Sequence, residues 1–318
     1  MNIDMHAHLW SEQYLDLLAS HGNAGTAVHR GLGAGATAAE LDARFALMDS
    51  AGIDVQVLSA TPASPHFANE AHAVEAARRV NDEYAALVRE HPDRFLALAS
   101  LPFPHPDAAL AELARGLDDL GMVGAAITTS VLGRSLADPA FLPVYAELDR
   151  RGSVLFVHPA GSGAGSPLIG PDMTWAVGAP IEDTVAVTHL ILAGIPSRYP
   201  NLRIVATHLG GALPMVLERL DRQSAWEAPG TPEKPRVAAR RMWYDTVAHD
   251  HVPALRAAVE SLGADRLVLG TDFPYQSGEA FRQAVGYLER AGLPAEQVAG
   301  IRDATPAGLL GLTVPGRR

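Results

Sequence analysis

Short apolar stretches rich in β-branched residues alternate along the chain with longer segments in which apolar residues recur at helical spacing. The short stretches are typical of buried parallel strands, and the longer segments predict amphipathic helices. Strands are predicted at residues 3–8, 55–59, 95–101, 124–128, 154–158, 204–208, 242–247 and 267–272. Helices are predicted at residues 39–51, 70–90, 108–120, 141–150, 182–199, 213–224, 252–262 and 279–291, with short packing helices at 294–312.

Eight strand–helix repeats in one chain predict an α/β fold of the (β/α)8 TIM-barrel type rather than an open doubly wound sheet. No shift in composition marks a second domain, so residues 1–318 are predicted to form a single barrel domain. Two glycine-rich loops, residues 22–36 and 161–178, follow predicted strands. Loops at this end of a barrel carry lids and substrate contacts, and we expect the same here.

The charge balance narrows the range of partners. The 318 residues include 25 basic and 36 acidic side chains, which gives a formal net charge of −11. This excess of acid disfavours nucleic acid or an anionic membrane surface as the main partner. No apolar run approaches the roughly 20 residues of a membrane span. We therefore expect a cytoplasmic protein whose partner is a small-molecule substrate.

Two absences restrict the chemistry further. The chain has no cysteine, which excludes disulfides, thiolate ligands and thiol nucleophiles, so a metal site must use His, Asp or Glu. The only lysine, Lys234, lies in a polar segment that reads as a surface loop, which disfavours Schiff-base catalysis.

Ionisable residues stand at the ends of four predicted strands, and the active site of such a barrel lies at those ends. His6 and His8 are spaced so that both rings project from the same face of the first strand. The fifth strand ends at His158, the sixth at His208 and the eighth at Asp272. We expect these five side chains to converge at one mouth of the barrel.

Imidazole nitrogens together with a carboxylate form a donor set for a divalent metal, which activates water or polarises a substrate oxygen. We predict His208 as the proton shuttle, although the residues alone allow it to exchange roles with His158. The fourth strand ends in Thr128-Thr129 and offers no bridging carboxylate, which favours one ion over two. The predicted ligands are His6, His8, His158 and Asp272.

Each of these residues also has a structural explanation. A histidine that ends a buried strand can be a hydrogen-bonded core residue, and Asp272 could cap the helix that follows. The His249-Asp250-His251 segment is interpreted in this way, as a helix start with Asp250 at the N-cap and two exposed histidines.

Several segments together resemble the amidohydrolase superfamily, specifically its branch of metal-dependent decarboxylases typified by aminocarboxymuconate semialdehyde decarboxylase. The resemblance covers nearly the whole chain. The segments that carry it are Ile3–His8, Met48–Ser59, His91–Phe95, Val157–Pro159, Arg198–Leu202, Thr207–Gly211 and Gly270–Tyr275.

The resemblance implies zinc on the four predicted ligands, with His208 as the acid/base. Related decarboxylases of aromatic acids often have Glu where this chain has His6, and they use manganese or zinc, so His6 favours zinc while manganese is the alternative. Arg219 matches a family arginine that binds the substrate carboxylate across a dimer interface, which implies a homodimer. Trp175 and Tyr275 match pocket aromatics that would stack on a planar substrate.

One segment departs from the family pattern. The named decarboxylase has a further substrate arginine before the second strand, where this chain has Gly33–Thr37. Arg30 would compensate only if its loop folds inward, so the substrate is expected to differ from the family's semialdehyde.

The favoured function is a metal-dependent nonoxidative decarboxylase of an unsaturated or aromatic carboxylate, with no organic cofactor and with His208 protonating the carbon that loses carbon dioxide. The alternative is a mononuclear metal-dependent hydrolase or hydratase acting on a lactone, a cyclic amide or a conjugated acid, in which Asp272 or His208 is the catalytic residue that moves the proton. A metal-stabilised binding protein without turnover is the third hypothesis.

Overall fold

A computed structural model describes residues 1–312; residues 313–318, which the single-domain prediction also includes, lie outside this range. The strands are β1 (Ile3–His8), β2 (Val55–Ser59), β3 (Phe95–Ala97, continued by Ala99–Ser100), β4 (Gly124–Thr128), β5 (Val154–His158), β6 (Arg203–Ala206), β7 (Trp243–Asp245) and β8 (Leu267–Val268).

The strands pair in parallel and in chain order, and backbone hydrogen bonds close the circle. The first segment of β3 pairs with β2 and the second with β4. The amide of Met5 donates to the carbonyl of Leu269 at 2.8 Å, and the amide of Asp272 donates to the carbonyl of His6 at 2.9 Å. These contacts join the eighth strand to the first, which confirms the predicted (β/α)8 barrel.

Helices cover the outside of the barrel. They are α1 (Glu12–Ser20), α2 (Ala38–Ala51), α3 (Glu70–Glu90), α4 (Pro106–Ala114), α5 (Leu142–Arg151), α6 (Ala179–Leu192), α7 (Ile195–Arg198), α8 (Leu213–Glu227), α9 (Pro235–Ala239), α10 (Val252–Leu262), α11 (Gly278–Arg290), α12 (Ala295–Ala299) and α13 (Thr305–Leu310). Among the helices of residues 1–312, none combines the length and apolar character that crossing a bilayer would need.

Some predicted boundaries differ from the structure for local reasons. Strands β6 and β8 end earlier than predicted, because the chain leaves the sheet before His208 and Asp272, which adopt left-handed φ angles of 52° and 60°. Strand β7 also ends early, at Asp245, whose side chain accepts a hydrogen bond from the amide of Val247. The predicted helix at 182–199 is two helices, since Gly194 has a left-handed φ of 69° between them. Helix α1 was not predicted; its N-cap is Ser11, whose side chain accepts a hydrogen bond from the amide of Tyr14.

A β-bulge in β1 directs the first histidines into the barrel. Between Asp4 and Ala7 the pairing with β2 contains one extra residue on β1. Met5 packs with the apolar side chains that fill the barrel interior, whereas Ala7 belongs to the apolar cluster between the barrel and the outer helices. In a regular strand, consecutive side chains point to opposite faces, so Met5 and His6 could not both face the barrel interior. The bulge changes the direction of the side chains and allows both to do so.

A buried polar network ties β1 to its neighbours just behind the mouth of the barrel. Arg44 on α2 donates to the side-chain oxygen of Gln56 at 2.7 Å and to the carbonyl of His8 at 2.8 Å. Gln56 and Thr271 both donate to Asp4 Oδ2, at 2.8 and 2.6 Å. Burial lowers the pKa of Arg44 to about 10, yet its guanidinium stays charged at neutral pH and balances Asp4.

We expect Arg44→Met to lower the free energy of unfolding by about 3 kcal/mol, because it leaves a buried carboxylate without its cation. Urea unfolding followed by circular dichroism measures this. Arg30→Met is the control, since Arg30 pairs with Glu12 and Asp16 at the surface, where ion pairs contribute little. An Arg44 variant as stable as the Arg30 variant would show that the network does not stabilise the barrel.

Candidate active site

Three predicted ligands form a tight triangle of donor atoms at the mouth of the barrel. His6 Nε2 lies 3.1 Å from His8 Nε2, and Asp272 Oδ1 lies 3.1 and 3.2 Å from these two nitrogens. One ligand atom each from His6, His8, His158 and Asp272 fit within 4.8 Å of one another. The structure therefore brings together all four residues predicted as ligands.

The donor spacing fits a divalent ion. Donors that hold one ion at about 2.0–2.2 Å lie about 3 Å apart, as these atoms do. Burial lowers the pKa of His8 to about 4 and that of His158 well below its usual value, so both imidazoles are neutral, the form that binds metals. Three nitrogens and one carboxylate are typical of zinc and similar divalent ions. The assignment of these four as ligands stays a prediction.

Hydrogen bonds behind the cluster fix the orientation of the histidine rings. Asp245 Oδ2 lies 2.6 Å from His6 Nδ1, and the carbonyl of Pro159 lies 2.9 Å from His158 Nδ1. Both contacts leave Nε2 free to face the cluster, which is how ligand histidines are held in metal sites. Burial lowers the pKa of His6, but the nearby carboxylates of Asp272 and Asp245 outweigh it and raise the pKa to about 9.

Gly270 makes room for this arrangement. A Cβ atom at position 270 would come within 2.9 Å of the Asp245 Cβ and 3.0 Å of the His6 Cβ. These distances are shorter than side chains tolerate, so only glycine allows Asp245 to approach His6.

His208 sits beside the cluster but is held by a different carboxylate. Its Nδ1 lies 2.7 Å from Asp183 Oδ2, while its Nε2 lies 3.7 Å from Asp272 Oδ2. The second oxygen of Asp183 accepts a hydrogen bond from Thr207 Oγ1 at 2.8 Å. Burial lowers the pKa of His208, but the attraction of Asp183 outweighs it and raises that pKa well above its usual value. The ring can thus carry a proton at Nε2, facing the cluster.

A cavity of about 600 Å³ opens directly onto these groups. Its walls include His158, His208 and Asp272, and also the predicted aromatics Trp175 and Tyr275. The two aromatic rings lie with centroids 6.3 Å apart and planes at 24°. A flat apolar surface therefore stands beside the cluster, where a planar substrate can lie.

Local contacts place both aromatic side chains. Gly161 has a left-handed φ of 73°, and a Cβ there would come within 2.8 Å of the Trp175 ring. The hydroxyl of Tyr275 lies 2.8 Å from Nδ1 of His29, a buried residue of the loop at 22–36. The loop at 161–178 therefore lines the cavity, whereas the loop at 22–36 supports one of the aromatic side chains.

The two arginines considered for substrate binding lie outside the cavity in this chain. Arg30 points outward to pair with Glu12 and Asp16, so its loop does not bring it inward. Arg219 is exposed on α8. Among the described residues that line the cavity, none is an arginine or a lysine.

The sequence analysis missed two carboxylates that hold the site. Asp245 ends β7, but the predicted strand extended to Val247 and so placed this aspartate inside the strand. Asp183 lies on α6 beside Glu182, and both are buried. Two adjacent acidic residues within a mainly apolar helix are a signal that could have identified Asp183.

The interpretation of residues 249–251 was partly wrong. The N-cap of α10 is His251, not Asp250, and the cap has no side-chain hydrogen bond. Asp250 instead lies 3.6 Å from Arg290. His249 and His251 are exposed, as predicted, but both line the cavity.

The amidohydrolase family model matches residues 3–312, so the chain belongs to this family. The 2-amino-3-carboxymuconate-6-semialdehyde decarboxylase of Dictyostelium discoideum is 32% identical over 249 residues, which cover 75% of this chain and 67% of that one. The gamma-resorcylate decarboxylase of Rhizobium sp. is 33% identical over 261 residues, 74% of this chain and 77% of its own. The family predicted from the sequence motifs is thereby confirmed.

A solved structure shares the fold over almost the whole chain. The dihydroxybenzoic acid decarboxylase of Polaromonas sp., with bound manganese and the inhibitor 2-nitroresorcinol, superimposes with a TM-score of 0.81 at 25% identity. The match covers 98% of this chain and 96% of that one.

Metal binding tests the cluster directly. We expect the wild-type protein, freed of metal by a chelator and then titrated with zinc or manganese, to bind one ion per chain. The metal-bound protein should melt at a higher temperature than the metal-free protein. His158→Ala should remove a ligand and abolish both effects. Asp245→Asn should weaken affinity by about 10–100-fold, because it disturbs the orientation of a ligand rather than removing one.

Calorimetric titration and elemental analysis give the stoichiometry. His189→Ala is the matched control, since His189 is an exposed histidine that contacts Ser135 outside this cavity. Unchanged metal content in the His158 variant would contradict the ligand assignment.

Proposed function

We propose that this protein is a metal-dependent nonoxidative decarboxylase of an aromatic or similarly unsaturated carboxylate. One observation carries the proposal: a single cavity opens onto a cluster of four candidate metal ligands and is lined by a carboxylate-held histidine and two aromatic rings. The decarboxylases of Dictyostelium discoideum and Rhizobium sp. described above support the same reaction class.

The chain's own residues have separable roles in this reaction. Trp175 and Tyr275 would orient the substrate plane and exclude water from one of its faces. His208 would deliver the proton from Nε2 to the carbon that loses carbon dioxide, while Asp183 keeps Nδ1 occupied and so fixes the ring orientation. The cavity is mainly apolar, which strengthens electrostatic interactions within it.

When bound at the cluster, a divalent ion supplies Lewis-acid stabilisation of negative charge on substrate oxygens. We propose His6, His8, His158 and Asp272 as the residues that hold it. Three imidazoles favour zinc, and manganese is the alternative because the Polaromonas structure contains it.

The hydrolase or hydratase hypothesis uses the same residues but has less support, because the relatives compared above are decarboxylases. The hypothesis of a binding protein without turnover does not explain why Asp183 holds the ring of His208 at the cavity wall beside the cluster.

Release of carbon dioxide from candidate acids tests the reaction. We expect the metal-loaded wild type to release it from at least one hydroxylated benzoate or unsaturated dicarboxylate. His208→Gln should lower kcat by about 10²–10⁴-fold, the usual contribution of a positioned proton donor, while the metal content stays at one ion. Asp183→Asn should lower kcat less and shift its pH profile, because the ring remains but its partner no longer carries charge.

Incubation with lactones and cyclic amides separates the hypotheses. Hydrolysis of one of these compounds, without carbon dioxide release from any acid, would overturn the proposed reaction. His189→Gln should leave the rates at their wild-type values, since its side chain lies outside the active-site cavity.

We also propose that the chain works as a homodimer in which Arg219 binds the substrate carboxylate from the partner subunit. Arg219 is exposed on α8, between the exposed apolar side chains of Met215 and Trp226, and the described cavity lining has no arginine of its own. Aromatic residues, methionine and arginine are enriched at protein interfaces. A cytoplasmic location stays a prediction.

Sedimentation of the wild type should show a dimer. Arg219→Met should raise KM for the acid by at least tenfold without dissociating the dimer, because a charge-assisted hydrogen bond is lost. Met215→Glu with Trp226→Glu should yield a monomer with the same loss in kcat/KM. A fully active monomer would refute the shared site.

A further inference from the structure

The loop that follows β7 contributes two histidines to the cavity that the proposed reaction does not use. His249 and His251 line the cavity. The lining residues next to them in the chain are apolar: Val247, Ala248 and Ala254. Two imidazoles on an otherwise apolar stretch of wall are polar groups available to a ligand.

The two histidines lie in a hydrogen-bonded turn of this loop. The amide of His251 donates to the carbonyl of Ala248 at 3.0 Å, and the two residues between them, His249 and Asp250, have left-handed φ angles of 48° and 54°. Glycine or asparagine adopts this conformation at less cost than histidine does. The chain therefore keeps an imidazole where the backbone alone would favour glycine.

Two contacts join this loop to neighbouring elements. Before the turn, the amide of Val247 donates to Asp245 Oδ1 at 3.0 Å, so the loop begins at the carboxylate that also holds His6. Within the turn, Asp250 lies 3.6 Å from Arg290 on α11. The loop that carries the two histidines therefore starts at the carboxylate that also orients a predicted metal ligand.

The cavity is large enough for a substrate with more than one polar group. Its volume of about 600 Å³ exceeds what one aromatic acid needs, and pockets of roughly 300–1,000 Å³ hold drug-sized ligands. No arginine or lysine is among its described lining residues, so imidazole N–H groups are the donors available on this wall.

We propose that His249 and His251 form a second polar subsite, which binds an oxygen substituent of the substrate remote from the carboxylate that is lost. The shared chemistry is a hydrogen-bond-accepting oxygen, carried by a hydroxyl or by a second carboxylate. This inference rests on the proposed function for the identity of the first carboxylate, and it makes the loop after β7 a determinant of substrate choice.

Binding of matched ligands tests the subsite without turnover. The zinc-loaded His208→Gln chain is titrated calorimetrically with 2-hydroxybenzoate and with its derivatives that carry an added hydroxyl or carboxylate at ring position 4 or 5. We expect one derivative to bind at least tenfold more tightly than 2-hydroxybenzoate. The hydroxyl and carboxylate arms identify which oxygen group the subsite prefers.

When His249→Gly and His251→Ala are added to the His208→Gln chain, the tighter binding of that derivative should vanish. The affinity for 2-hydroxybenzoate itself should stay within about twofold of the parent's. Glycine at position 249 relieves the left-handed backbone, so the melting temperature should hold or rise, which separates lost binding from lost folding. His249→Asn, which tolerates the turn and keeps a hydrogen-bonding side chain, should recover part of the preference. His189→Gln is the matched histidine control and should leave the preference intact.

Two results would overturn the subsite: equal or undetectable binding of all these ligands by the parent chain, or a preference that survives the double substitution. Absence of carbon dioxide release from every acid, together with a preference that depends on the two histidines, would instead remove the proposed reaction and keep the subsite.

Discussion

The buried carboxylate of Asp245 holds two parts of the site at once. Its Oδ2 lies 2.6 Å from His6 Nδ1, and its Oδ1 accepts a hydrogen bond from the amide of His208 at 2.8 Å. The same Oδ1 accepts from the amide of Val247, where the loop after β7 begins. The orientation of a predicted ligand, the position of the predicted proton donor and the start of a cavity wall therefore depend on one side chain.

Backbone strain is concentrated at the same end of the barrel. Of the non-glycine residues with positive φ in the part of the chain that the structure describes, His208, Leu209, His249 and Asp272 line the cavity. Such conformations persist only where the surrounding structure imposes them, and they are typical of functional sites. The apolar barrel interior and the network of Arg44, Gln56 and Asp4 support β1, because the interior packs against its inward side chains and the network hydrogen-bonds it to α2 and β2.

The electrostatic character of the site is local rather than global. The chain carries a net charge of −11, and the described cavity lining contains no arginine or lysine. An anionic substrate must therefore be attracted by a bound ion, by imidazoles or by a residue of another subunit. Within the chain, the groups of this kind are the predicted ligands, His208 and the histidine pair of the β7 loop.

The sequence by itself determined the barrel and the four members of the donor cluster, because both follow from local periodicity and from the residue types at strand ends. Buried parallel strands read as apolar runs, and residues at their carboxyl ends must meet at one mouth, so His6, His8, His158, His208 and Asp272 could be selected without coordinates. Helix limits such as Glu70–Glu90 and Val252–Leu262 likewise follow from helical spacing and agree with the prediction.

Only the tertiary structure decided which groups support that cluster. The roles of Asp245 and Asp183 depend on contacts across 239 and 25 positions of the chain, which no local pattern encodes. The bulge that turns His6 inward, the outward pairing of Arg30 and the placement of His249 and His251 in the cavity wall depend on how neighbouring elements pack. Local sequence fixes the apolar runs and the residue types that follow them, whereas three-dimensional proximity fixes the exact strand ends, the hydrogen-bond partners and the cavity walls.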